Sequence, residues 1–201
     1  MKQIVVISGK GGTGKTTMTA SLATLAEGAA VLADCDVDAP DLHLILKPRV
    51  LETFDFLGLK TALIDPDKCT ECGECEKACR FDAISDFVVD PASCEGCKVC
   101  TIVCPSEAVS MVDRISGHAY VSETRFGPMV HADLFPGEEA SGKLVTMVRE
   151  ISARVAEKEK KDLIIIDGSP GIGCPVIASI TGTDIALVMT EPSISGVHDL
   201  E

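Results

Sequence analysis

The sequence predicts an α/β fold, in which a parallel sheet flanked by helices is interrupted by a small cysteine-rich insert. Three observations carry that reading. Short runs of Val, Ile, Leu and Ala at 3–7, 29–33, 163–166 and 185–189 have the length and composition of buried strands. A glycine loop joins the first run to a helical stretch. Eight of the ten cysteines fall in two matched runs between residues 64 and 109.

Composition bounds the rest. A chain of 201 residues accommodates one sizeable core and a small insert. With 46% hydrophobic residues, 3% aromatics and no Trp, the core must be aliphatic. A formal charge of −13 with no basic run argues against a nucleic-acid partner. No apolar stretch reaches the ~18 residues of a membrane span, and the glycine-rich start is no signal peptide. The expected location is therefore the cytoplasm, where ten cysteines point to metal or redox chemistry rather than structural disulfides.

In chain order, QIVVI is the first strand, SGKGGTGKTT the loop, and MTASLATLAEG a helix closing at Gly28. Gly9, Gly14, Lys15 and Thr16 match G-x-x-x-x-G-K-S/T, the P-loop that cradles phosphates. Gly9, Gly11, Gly12 and Gly14, with Thr13 and Thr17, let backbone N–H groups curl around phosphate oxygens at a helix N-terminus. Lys15 neutralises the outer phosphates and Thr16 offers its hydroxyl to Mg²⁺. After the AAVLA strand, DCDVDAPDL gathers Asp34, Asp36, Asp38 and Asp41, and four carboxylates so close suit a nearby Mg²⁺. Asp34, Asp38 and Asp41 read equally well as solvated loop or cap residues. Alternation in 117–134 suggests a hairpin around Gly127 and Pro128. Leu144, Val148, Ile151 and Val155 fall at helical spacing, with Ser141 as N-cap. In DLIIIDGSPGIGC a buried strand ends at Asp167 and delivers a carboxylate where open α/β sheets bind ligands. DIALVMTEP is a further buried strand, and SISGVHDLE opens a helix. His118 and His131 read as solvated or packed, and Cys174 as a small buried residue.

The cysteine runs repeat at an offset of 25 residues, pairing Cys69 with Cys94, Cys72 with Cys97, Cys75 with Cys100 and Cys79 with Cys104. Each reads C-x₂-C-x₂-C-x₃-C. Such a loop wraps three thiolates around one group and sends the fourth away. Zinc is the alternative, although zinc modules use separated cysteine pairs rather than three in succession. Cys104 precedes Pro105, whereas Cys79 precedes Arg80, a charge that is either solvated or set beside a metal centre.

Two resemblances follow from these residues. The runs resemble bacterial two-cluster ferredoxins, in which the fourth cysteine of each run ligates the other 4Fe–4S cluster. Carried over by position, Cys69, Cys72, Cys75 and Cys104 hold cluster one, and Cys94, Cys97, Cys100 and Cys79 hold cluster two. The loop KGGTGKT, with its early Lys10, resembles the deviant loop of the MinD, ParA, Mrp and nitrogenase iron-protein superfamily. That resemblance implies an ATP-sandwich homodimer in which Lys10 reaches the partner's nucleotide. It also implies that Asp36 positions water and reaches Mg²⁺, that Leu42 anchors switch I, that Asp167 holds Mg²⁺ as the Walker B carboxylate, and that 168–173 form switch II. The matching position of the nitrogenase iron protein gives Cys174 a competing reading as a cluster ligand. Together the pattern resembles ferredoxin-inserted MinD-type ATPases, also described as cobyrinic acid a,c-diamide synthase-like. The domains expected are an ATPase in two parts, 1–63 and 111–201, around a ferredoxin-like insert at 64–110. Further strands follow in that family, so a C-terminally truncated domain is expected.

The function this implies is ATP hydrolysis coupled, through a dimer switch, to electron transfer or cluster delivery, with a redox or cluster-accepting partner. A positioning ATPase with sensory clusters and a plain electron carrier are the competing readings.

Overall fold

The computed structural model describes residues 1–138 and 141–198. In chain order it forms β1 (Lys2–Ser8), α1 (Lys15–Leu25), β2 (Ala30–Asp34), α2 (Leu42–Leu46) and β3 (Arg49–Leu57). The cysteine region follows as β4 (Thr61–Ile64), α3 (Glu74–Ala78), β5 (Ile84–Ser85), β6 (Val88–Val89), α4 (Val99–Val103) and β7 (Val109–Val112). The chain then resumes with β8 (Ile115–Thr124), β9 (Gly127–Leu134), α5 (Ser141–Glu159), β10 (Leu163–Pro170), α6 (Cys174–Ile180), β11 (Ile185–Met189) and α7 (Ile194–His198).

These elements divide into two compact units. The first holds Met1–Phe56, Gly117–Leu134 and residues 141–198; the second holds Leu57–Ser116 and the stretch 135–138. In the first, seven strands form one sheet in the order β11-β1-β10-β2-β9-β8-β3. Strands β1, β2, β10 and β11 run parallel, as does the β2–β9 pair, while β8 and β9 form the antiparallel hairpin expected from sequence. The result is an α/β fold with a mostly parallel central sheet.

Alternation along the central strands builds two aliphatic layers. Leu32 and Ile165 face one side with Ala23 of α1, Leu42 and Leu46 of α2, and Met129. Val31, Ala33, Ile164 and Ile166 face the other, against Leu144, Val145, Val148 and Ile151 of α5. Helix α5 thus covers the sheet with the spacing read from its sequence, and Val155 packs at its margin. Ser141 is the first residue of α5 rather than its cap, because the helix starts there; the position before it lies outside the described residues.

Three expectations need correction. Strand β10 continues past Asp167 to Pro170, because its pairing with β1 resumes after a one-residue shift between Val6 and Ser8, with Ser8 opposite Pro170. Strand β11 is an edge strand whose Ile185, Leu187 and Val188 are exposed, since it pairs with β1 on one side only among the described residues. Helix α1 stops at Leu25 with Ala26 as its cap, so Gly28, at φ 81°, serves the turn beyond.

In the second unit β4 pairs antiparallel with β7, and β5 with β6. Ala62, Cys75, Ile84 and Val109 form its core, and partly buried Cys79, Cys94, Cys100 and Cys104 pack against it. Its interior is therefore lined with sulfur.

Candidate functional site

A cavity of about 490 Å³ opens at the P-loop, lined by Gly11, Gly12, Gly14, Lys15, Thr16, Thr17, Asp36, Asp38, Asp41 and Ser169 among others. Gly12 and Gly14 take φ values of 82° and 92°, a region that favours glycine, and a side chain there would meet nothing within 4 Å. The backbone is thus bent into an open cradle at the start of α1.

Lys15 is buried and its Nζ lies 3.9 Å from Asp36 Oδ2. Burial raises the Asp36 carboxyl to about 6, with Lys15 acting against burial and Asp167, Asp38 and Asp41 adding to it. Asp167 is fully buried; burial raises it too, offset by hydrogen bonds from the Thr16 and Thr19 hydroxyls. Thr19 Oγ1 donates to Asp167 Oδ1 at 3.1 Å, while Oδ2 is buried without a partner. An orphaned carboxylate oxygen next to the Thr16 hydroxyl and Asp36 is what a divalent cation satisfies, so these residues fit Mg²⁺.

Of the readings open for Asp34, solvated loop, cap or functional residue, the solvated one is corrected: it is fully buried and accepts the N–H groups of Asp36 and of Leu42, the first residue of α2, each at 3.2 Å. It fixes the acidic loop from both ends. Ser169 Oγ donates to the Cys35 carbonyl at 2.6 Å, tying the same loop to β10. Lys10 and Thr13 are not on the cavity wall. Lys10 Nζ lies 3.1 Å from Glu191 and donates to Ser195 Oγ at 3.2 Å, and Thr13 folds back onto the Lys10 carbonyl. Sequence reasoning missed Thr19, although its place four residues after Lys15 puts both on one helix face. Cys174 is exposed, not buried, because α6 turns Val176 and Ser179 inward instead. His131 packs in a stack with His43 and Tyr120, and its Nε2 lies 3.0 Å from Ser122 Oγ.

The second unit brings the cysteines together in two sets. Cys69, Cys72, Cys75 and Cys104 line one small cavity; Cys79, Cys94, Cys97 and Cys100 line another. Each run supplies three sulfurs to its own cavity and a fourth to its neighbour's. The exchange extends beyond sulfur, since Cys104, Ser106, Ala108 and Val109 close the first cavity as Cys79, Phe81, Ala83 and Ile84 close the second.

None of the ten cysteines is joined in a disulfide. Among the described residues no three His, Cys, Asp or Glu side chains are gathered tightly enough to hold a single metal ion. Backbone groups address two of the sulfurs: Glu71 N–H donates to Cys69 Sγ at 3.4 Å and Ala108 N–H to Cys104 Sγ at 3.3 Å. The Ser106 hydroxyl holds the Cys104 thiol below its usual range, and Ala108 adds to this. Burial pushes Cys75 and Cys100 up, and neighbouring sulfurs of their own cavities contribute.

A glycine cradle at a strand–helix junction, with a buried lysine and carboxylates at the sheet's C-terminal edge, defines a P-loop nucleotide-binding domain. The chain belongs to the CobQ/CobB/MinD/ParA nucleotide binding domain family, which matches residues 4–169. It is 41% identical over 199 residues to protein MJ0578 of Methanocaldococcus jannaschii, covering 98% of this chain and 70% of that one. The septum site-determining protein MinD of Bacillus subtilis is 27% identical, covering 98% of this chain and 56% of that one. Among solved structures, MinD from Pyrococcus horikoshii complexed with Mg-ADP shares the fold with a TM-score of 0.51 and 19% identity, covering 98% of this chain and 61% of that one. The chain thus spans little more than half to about two thirds of these relatives. No helix among the described residues is long and apolar enough to cross a membrane.

Proposed function

We propose that this protein is a MinD-type ATPase carrying a ferredoxin-like insert, which couples a nucleotide-driven dimer switch to electron transfer or cluster delivery. The observation that carries the reading is the partition of eight cysteines into two cavities, each completed by one sulfur from the other run. That is the exchange a two-cluster ferredoxin uses. The residues fit two 4Fe–4S clusters: Cys69, Cys72, Cys75 and Cys104 would hold one, and Cys79, Cys94, Cys97 and Cys100 the other. Such clusters supply one-electron chemistry. The domain boundaries that go with this reading are a ferredoxin-like insert at 64–110 within an ATPase formed by 1–63 and 111–201.

In the first unit, backbone amides of 11–17 receive phosphates and Lys15 neutralises them. Thr16, Asp36 and the free Oδ2 of Asp167 would hold Mg²⁺, which polarises the phosphate being transferred. Asp36 stands where the attacking water is positioned. Lys10 makes the loop a deviant Walker A; it leaves Glu191 and Ser195 to reach a partner protomer's nucleotide. The acidic loop that senses phosphate continues directly through α2 and β3 into the cysteine unit. This sequence of elements supports a link between closure and the clusters.

Anaerobic assembly followed by iron and sulfide counting tests the proposal. About eight irons per chain are expected, with Cys104→Ser and Cys79→Ser each lowering the count by up to four. A chain that takes up one or two zinc ions in place of iron sinks the reading. The septum-site relative favours a positioning ATPase instead; ATP-dependent co-sedimentation of the protein with lipid vesicles would support that alternative.

A further inference from the structure

The internal repeat supplies its own control. At the 25-residue offset, Glu74–Ala78 of α3 matches Val99–Val103 of α4, and each helix carries one cavity cysteine, Cys75 or Cys100. Helix α3 places Glu74 and Lys77 in water, joined by a 3.0 Å ion pair. Helix α4 places Val99 and Ile102 at the same two positions, and Ile102 is 80% exposed. No residue of α4 is buried. Val99, Ile102 and Val103 share one face of that helix, and exposed Phe81 lines the same cavity as Val99. Two copies of one ancestral surface have therefore diverged, one solvated and one apolar. The architecture alone does not require the apolar version, since α3 folds without it. A cluster of exposed apolar side chains on one copy of a repeat, absent from the other, is where a contact with another molecule is to be sought.

Charge identifies the kind of partner. Residues 57–116 hold eleven Asp and Glu against six Lys and Arg. The cavity beside the patch balances Glu95 with Lys98 on its wall, so the excess lies in the unit as a whole, and clusters held by four thiolates each would add to it. A protein with a basic rim around an apolar centre complements that surface. We infer that α4 and Phe81 form the docking face for a basic, electron-exchanging protein, seated over the cavity of Cys79, Cys94, Cys97 and Cys100. This rests on the cluster reading above.

The probe is a small basic c-type cytochrome in its oxidised form. It is titrated anaerobically into the full 201-residue chain carrying oxidised clusters, by calorimetry at two temperatures. Ile102→Ser is expected to weaken binding about tenfold, the effect of one buried aliphatic side chain. It should also shrink the negative heat-capacity change that reports apolar burial. Ile102→Leu restores both, and Lys77→Ser stays within about twofold of the parent. Unaltered binding by Ile102→Ser, or an equal loss in Lys77→Ser, overturns the inference. So does sedimentation showing that Ile102→Ser breaks a dimer of this chain, because a second copy would then be the occupant. About eight irons in every variant separates a failure of docking from a failure of the cluster reading; a chain without iron overturns both.

Discussion

At the scale of single residues, the site is held by groups whose roles depend on burial. The placement of Lys15 in a glycine loop and of Asp167 on a buried strand was legible from sequence, because the P-loop and an apolar run ending in Asp specify those positions almost alone. Asp34 was not, since nothing in DCDVD says which carboxylate is turned inward; only pairing of β2 with β10 does so. Lys15→Ala is expected to weaken Mg·nucleotide binding by about 2–3 kcal/mol, or thirty- to one-hundred-fold, measured with a fluorescent ATP analogue. His131 gives a pH prediction. Burial, and then the neighbouring His43, lowers its folded pKa to about 4 from 6.5. The unfolded chain therefore binds the proton first, and stability contributed by neutral His131 is present above pH 6.5 and lost as pH falls toward 4. Relative to His131→Gln, the parent should lose on the order of 2 kcal/mol across that window in urea titrations. Parallel pH curves for the two proteins would contradict the assignment.

At the scale of elements, α5 and the hairpin of β8 and β9 were readable from periodicity, while β3 escaped notice. RVLETFDFL is an edge strand with little burial, so it carries weak alternation. Strand β11 misled in the opposite sense, since its composition is that of a covered strand while its neighbours leave it bare. Ile151 on α5 sits at 2% exposure in the main core, and Ile151→Ala should cost about 3 kcal/mol of unfolding free energy. The repeat makes a finer prediction at the equivalent positions Glu71 and Gly96. Both take positive φ, 53° and 63°, but a Cβ at Gly96 would lie 2.5 Å from the Lys60 carbonyl oxygen. Gly96→Ala should therefore damage the loop of Cys94 and Cys97 alone, and iron counting should fall toward four per chain from about eight. Glu71→Ala should leave the count unchanged.

At the scale of the whole molecule, the interrupted architecture was legible because the insert is a duplication, and matched cysteines at one offset betray it without any structure. The exchange of residues between its halves was legible for sulfur only. That Phe81 and Ser106, or Ala83 and Ala108, swap cavities along with the cysteines is seen only in the folded unit, because cysteine spacing says nothing of the residues that follow the fourth cysteine. The central claim is that nucleotide binding in one unit is felt by metal centres in the other. Low-temperature EPR of the anaerobically reduced protein, recorded without nucleotide, with MgADP and with MgATP, tests it most directly. The account expects the cluster signals or their midpoint potentials to change with MgATP in the parent and to stay fixed in Lys15→Ala. Identical spectra and potentials in all three states of the parent, with bound nucleotide verified in the same samples, would contradict it.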